Sequence, residues 1–210
     1  MAVLGVDWED AEIDPVHACP CTVCTETCPC VQRSSGFAYT EGHKLQVERG
    51  NECSWPIYEC WSACSCRLAC LNRASQQGSP LLQVQSAGSK GLGVYTVRSL
   101  LQGSYVAEYY GEHIQAERDR AYVFEAVEHF GLRTSIWRVD AEHYGGVARF
   151  FNHSCRSNMT VVPVRCGYVV PRLCFFARRD IAAGEELTFQ YSSKGSRICG
   201  CGEMECRGLF

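Results

Sequence analysis

Arg149-Phe150-Phe151-Asn152-His153-Ser154-Cys155 puts an amide, an imidazole and a thiol within four residues, next to paired aromatics. Alone, Asn-His-Ser is an ordinary polar loop, so its meaning depends on what else in the chain can reach it. Cys199, Cys201 and Cys206, near the C-terminus, are possible partners for Cys155.

Working outward, the chain has 210 residues, 46% hydrophobic and 20% charged, enough for a real core in one domain or one domain with a small appended module. A net charge of −3 gives no basic footprint, so direct sequence-specific DNA binding is not expected. Residues 1–14 carry Trp8, Glu9, Asp10 and Glu12 without a basic start or a long apolar run, unlike a secretory signal. No stretch approaches the ~18 apolar residues a membrane-spanning helix needs. These features lead us to expect an intracellular, soluble protein with no membrane contact.

Sixteen cysteines are the strongest compositional signal. In a reducing compartment they favour metal binding over disulfides. One block reads Cys19-x-Cys21-x2-Cys24-x3-Cys28-x-Cys30, and a second reads Cys60-x3-Cys64-x-Cys66-x3-Cys70. Cys-x-Cys steps suit thiolates converging on metal. Nine thiolates satisfy three tetrahedral zinc ions if three of them bridge, which leaves Cys53 spare. Two separate four-cysteine sites with leftovers are the alternative. With few other apolar residues before position 72, the metal would fold this segment, in a structural role that leaves no ligand position open.

From residue 81 the texture becomes strand-like. Residues 82–85 alternate, and Gly91-Leu92-Gly93-Val94-Tyr95 is a glycine turn entering a second strand. Residues 105–112 form a third strand ending at a Gly turn, followed by a short charged helix near 115–120 and strands near 121–127 and 135–139. Apolar runs at 159–165 and 172–177 flank Gly167 and Pro171, and a last strand covers 187–191. Cys166 and Cys174 lie in or beside these runs and suit small core hydrophobes. Many short strands and little helix predict a mostly-β domain between two cysteine-rich caps.

The order of the motifs is more specific than any one of them. The cysteine blocks, Gly-x-Gly, Glu108-Tyr109-Tyr110-Gly111-Glu112, the Arg149–Cys155 stretch, Glu185-Glu186-Leu187-Thr188-Phe189-Gln190-Tyr191 and Cys199-x-Cys201-x4-Cys206 follow one another here. In that order the chain resembles the pre-SET, SET and post-SET regions of histone-lysine methyltransferases, over roughly residues 15–210. The resemblance implies an N-terminal extension at 1–14, a pre-SET region at 15–78, a SET domain at 79–192 and a post-SET region at 193–210. It also implies a SET fold of short sheets with knot-like C-terminal threading.

The implied activity is methyl transfer from S-adenosyl-L-methionine (AdoMet) to a histone H3 tail lysine, foremost lysine 9, with lysine 36 or a non-histone lysine as alternatives. A catalytically weak SET scaffold in chromatin is a reading of a different class. By resemblance Tyr191 is the catalytic tyrosine and Tyr109 and Tyr122 line the channel beside it, although from the residues alone those two could be a cross-strand aromatic pair. Phe189, where a tyrosine would crowd the channel, implies di- or trimethylation. Gly91, Leu92, Gly93, Tyr122, Arg149, Asn152 and His153 are implied to face AdoMet. Cys155 would join Cys199, Cys201 and Cys206 around a fourth zinc, besides the three of the pre-SET cluster. Nuclear, chromosomal location and recruitment by chromatin-targeting proteins follow from the same likeness. The chain departs from the family at Leu92, where Trp is usual, at Gln190, where Asp is usual, and in a short 112–122 segment, which bears on substrate choice.

Overall fold

The computed structural model describes residues 18–46, 57–115, 121–130, 133–191 and 198–209. Cys53, most of the helix expected near 115–120 and the 1–14 extension lie outside them. The strands are β1 (Tyr39–Thr40), β2 (Lys44–Leu45), β3 (Ile57–Tyr58), β4 (Leu82–Ser86), β5 (Leu92–Thr96), β6 (Tyr105–Tyr109), β7 (Glu112–His113), β8 (Val123–Phe130), β9 (Arg133–Asp140), β10 (Asn152–His153), β11 (Met159–Arg165), β12 (Arg172–Ala177) and β13 (Thr188–Phe189). Among the described residues the α-helix is one short turn, α1 (Pro29–Arg33), opened by a proline whose fixed φ suits a first helical position. No helix there is long and apolar enough to cross a membrane.

The apolar runs at 159–165 and 172–177 form the antiparallel pair β11–β12, the centre of a sheet ordered β3-β11-β12-β6. Leu173, Phe175 and Phe176 of β12 are fully buried, because its two faces serve two cores. Phe175 belongs to the core that holds Phe151, Leu187 and Phe189, and Phe176 to one with Tyr39, Ile57 and Val164. A register shift between Phe175 and Phe176 lies on the β6 side of that strand. Cys174, buried here, packs as a small apolar side chain.

The expected strand at 105–112 divides. Tyr105–Tyr109 pairs with β12, whereas Glu112–His113 pairs with β9 in a second sheet ordered β7-β9-β8. Gly111 permits the change of partner: a Cβ there would stand 2.2 Å from the Asp140 carbonyl oxygen. The expected last strand is also shorter, at Thr188–Phe189. Its flanks serve other partners, since Leu187 N–H donates to the Val94 carbonyl and Tyr191 N–H donates to the His153 ring.

Buried polar groups join the parts. Glu59 accepts from the Tyr39 hydroxyl at 2.7 Å and from Ser75 N–H, Ser75 Oγ and Gln76 Nε2 at 2.8 Å each, so its buried carboxylate is well solvated by the protein. Arg165 of β11 makes a two-pronged pair with Glu128 of β8 at 2.8 and 2.6 Å, with side-chain exposures of 5% and 7%. Trp137 Nε1 donates to the same carboxylate. The pair costs desolvation but fixes where the β8–β9 hairpin sits on the central sheet.

Candidate active site and metal centres

The site grows from the parallel pairing of β10 with β13, which sets Asn152 opposite Thr188 and His153 opposite Phe189. Three further bonds tie the segments together. Ser154 N–H donates to the Phe189 carbonyl at 3.2 Å, Tyr191 Oη donates to the Phe151 carbonyl at 2.7 Å, and Tyr191 N–H donates to His153 Nδ1 at 3.0 Å.

Phe189 stacks obliquely on Tyr191 at 4.7 Å between ring centres, and meets Phe175 at 4.9 Å and Phe124 at 5.5 Å. Phe124 in turn lies 5.3 Å from Tyr109, whose hydroxyl donates to the Tyr122 carbonyl at 2.7 Å. The structure therefore brings Tyr109, Tyr122, Phe189 and Tyr191 into one aromatic wall. Burial, and then the nearby Tyr191 phenol, push the Tyr109 pKa well above the usual tyrosine value, so it stays a neutral hydroxyl. The Arg149 guanidinium stacks 4.3 Å over the Tyr122 ring, and its buried Nε has no hydrogen-bond partner. A buried cation edge without an acceptor, beside an aromatic wall, fits a ligand that carries a carboxylate, as AdoMet does.

Gly91 holds φ at +82° with nothing within 4 Å of the position its Cβ would take, and Leu92 beside it is exposed, so this loop is open to a ligand. Gly93 is different. A Cβ there would come 2.8 Å from Glu186 Oε1 and 3.0 Å from Asn152 Nδ2, so its small size is needed for protein packing. Asn152 Nδ2 donates to Glu186 Oε1 at 2.8 Å and to the Leu92 carbonyl at 3.0 Å, and Lys90 pairs with Glu186. The imidazole of His153 is buried, with Nδ1 taken by Tyr191 N–H and Nε2 at 3.4 Å from Cys155 Sγ. The amide of Asn152 and the ring of His153 are thus held by the protein's own groups. Sequence reasoning missed Lys90, Glu186, Phe124 and Phe175. Glu186 could have been flagged by its place in Glu-Glu-Leu, but nothing local names its partners.

The cysteines converge as two separate assemblies. Cys19, Cys24, Cys60 and Cys66 form one group of close Sγ atoms; Cys19, Cys30, Cys60 and Cys64 form another; Cys19, Cys21 and Cys28 form a third. Cys19 recurs in all three groups and Cys60 in two, the pattern that shared ligands make. Cys70 packs against this cluster. At the other end Cys155, Cys199, Cys201 and Cys206 meet, with Arg207 N–H donating to Cys155 Sγ at 3.4 Å and Ser154 Oγ to Glu203 at 3.0 Å.

Sγ–Sγ separations are 3.6 Å for Cys24–Cys60 and 3.8 Å for Cys19–Cys24, Cys19–Cys60, Cys30–Cys64 and Cys155–Cys199. A disulfide needs about 2.05 Å. Two sulfurs at about 2.3 Å from a tetrahedral zinc lie about 3.8 Å apart, so both assemblies are compatible with zinc. Burial and neighbouring thiols push the Cys19 and Cys24 pKa values far up. At the C-terminal group, burial raises Cys201 but N–H groups of Cys155 and Glu203 outweigh it and hold it at about 6, while burial raises Cys199 to about 12. Cys166 and Cys174 belong to neither assembly.

Comparison with known proteins follows the same division. Residues 5–73 match the Pre-SET motif and residues 91–192 the SET domain. The rat histone-lysine N-methyltransferase SETMAR is 35% identical over 207 residues, covering 90% of this chain and 65% of that protein, so the chain spans just under two thirds of its length. The crystal structure of the human SETMAR methyltransferase domain superposes with a TM-score of 0.78 at 30% identity, covering 95% of this chain and 84% of that one. KRYPTONITE, solved with mCHH DNA, an H3(1–15) peptide and SAH, gives 0.76 at 27% identity over 91% of this chain and 43% of that one. On these likenesses and the convergence of motifs far apart in sequence, the chain belongs to the SET-domain family, with a Pre-SET motif ahead of its SET domain.

Proposed function

We propose that this chain is a zinc-containing, AdoMet-dependent lysine methyltransferase that acts on the tail of histone H3, foremost at lysine 9, adding two or three methyl groups. The observation that carries the reading is the pair of phenols, Tyr191 and Tyr109, each with its proton committed to a backbone carbonyl at 2.7 Å, in the aromatic wall that holds Phe189. The H3 assignment is supported by the peptide in the KRYPTONITE structure, whose residues 1–15 include position 9 and exclude position 36.

AdoMet, when bound, would supply an electrophilic methyl carbon on a sulfonium, from which a neutral amine displaces the thioether. The chain's residues account for the rest. A lysine entering between Tyr109, Tyr122, Phe189 and Tyr191 leaves water for an aromatic wall, which lowers its pKa and favours the neutral amine. Because both phenols already donate elsewhere, their oxygens present lone pairs that accept the amine N–H bonds and aim the nitrogen. Phe189 brings no hydroxyl to the wall, so a methylated amine can turn without displacing a bound water. Arg149 is the group assigned to the cofactor carboxylate. The Gly91-Leu92 loop is its open edge, with Gly93, Asn152 and His153 shaping that edge through Glu186, the Leu92 carbonyl and the backbone of Tyr191. Nine pre-SET cysteines would hold three zinc ions and the C-terminal four a fourth.

The assigned regions are 1–14 extension, 15–78 pre-SET, 79–192 SET and 193–210 post-SET. A nuclear, chromosomal site of action follows from the substrate, with recruitment by chromatin-targeting partners. The test is labelled-methyl transfer to a full H3 peptide set, with product mass read at each lysine. Transfer centred on lysine 9 to the di- or trimethyl state is expected, with transfer abolished in Tyr191→Phe. No transfer by either protein overturns the enzyme reading; a product that stops at one methyl overturns the role given to Phe189.

A further inference from the structure

We infer that His153 is a positioning residue that couples the C-terminal four-cysteine metal site to Tyr191 through its two ring nitrogens. The inference deepens the functional reading above and rests on it for the roles of Tyr191 and the zinc.

Nδ1 lies 3.0 Å from the backbone nitrogen of Tyr191, which has only a proton to offer, so Nδ1 is the acceptor. The neutral ring then carries its hydrogen on Nε2, the atom 3.4 Å from Cys155 Sγ. Cys155 Sγ is the acceptor for that hydrogen, and a metal held by that sulfur would fix its position and with it the ring's. The ring is buried and lies edge-on to the Tyr191 ring at 5.4 Å, so it has little freedom to serve one partner without the other. Partners of metal ligands of this kind fix ligand orientation, and their loss costs roughly 10- to 100-fold in metal affinity or activity. Here the residue that orients a zinc ligand also holds the backbone of the tyrosine whose hydroxyl is anchored to Phe151. Metal occupancy and the placement of Tyr191 are therefore one equilibrium read at two ends.

Two substitutions divide the ring's work. His153→Asn keeps an acceptor near Nδ1 and loses the distal donor, while His153→Gln puts an amide N–H near Nε2 and loses the proximal acceptor. The full chain, labelled with 15N-tyrosine and loaded with zinc, reports the Tyr191 backbone amide by NMR, assigned by its absence in Tyr191→Phe. Zinc affinity of the weakest site is read by chelator competition, and kcat and KM on H3 peptide are measured beside them.

The expected pattern is crossed. His153→Asn weakens zinc roughly 10- to 100-fold with a modest shift of the amide. His153→Gln holds zinc near the wild-type affinity but shifts the amide upfield and lowers kcat more than KM. Removing the last zinc from the wild-type chain moves the same amide. An amide that stays in place when that zinc leaves overturns the coupling, as do two variants with identical losses at both ends. A wild-type chain that transfers no methyl overturns the functional reading instead, and the amide and zinc measurements still decide the coupling. Retention of the other zinc ions separates a local effect from misfolding.

Discussion

The two cysteine assemblies use one ligand type for opposite purposes. The N-terminal one is interior: Cys19, Cys28 and Cys60 are buried, their neighbours are mostly other cysteines, and Glu59 and Arg73 turn inward to satisfy the surrounding backbone. The C-terminal one is half-exposed in all four members, holds little apolar mass, and touches the site through His153. A buried cysteine cluster that takes zinc would substitute for a hydrophobic core that this segment is too short to build. A half-exposed one fastens a chain end where a ligand must come and go. Metal removal should therefore unfold one region and disarm the other.

The sharpest break is at Cys19, which belongs to all three N-terminal cysteine groups. Each structural zinc contributes roughly 10–16 kcal/mol of folding free energy, so Cys19→Ser should remove cooperative folding of residues 18–46 and 57–76, seen as lost near-UV circular dichroism. Next is the pair that seats the hairpin. Arg165→Met strands Glu128 at 7% side-chain exposure and should cost about 3–5 kcal/mol by denaturant titration, with no change in zinc content. Cys155→Ser should lower zinc content by one and weaken AdoMet affinity about tenfold by calorimetry, with a small shift in Tm, because the site lies at the edge of the fold. If zinc falls and cofactor affinity holds, the two assemblies do not differ as described. Phe189→Tyr should be the mildest, costing under about 1.5 kcal/mol while moving the product toward monomethyl-lysine by mass spectrometry.

Much of the strand core was legible, because residues 159–165 and 172–177 are long apolar runs whose pairing needs no distant information. The split at Gly111 was not, since the obstacle is the Asp140 carbonyl, 29 positions further on. At the site, Tyr109, Tyr122, Phe189 and Tyr191 pack in or against one core. Gly93, expected to face the cofactor, also stands where a Cβ would meet Asn152 and Glu186. Residue type announces which chemistry is available. It does not announce which neighbour takes a hydrogen bond.

From the sequence alone came the expectation of cysteine groups fit for metal, because cysteine spacing restricts what thiols can reach, and the family, because motif order survives without knowledge of distance. Only the tertiary structure decided which thiols gather in each group, which way Asn152 and His153 turn, and that the His153 ring stands between Tyr191 and Cys155. Those choices rest on atoms a few ångströms apart whose residues stand far apart along the chain, 38 positions for His153 and Tyr191 and 45 for Cys19 and Cys64. Hydrogen bonds and ligand sharing act over those ångströms, and a linear pattern holds no record of them.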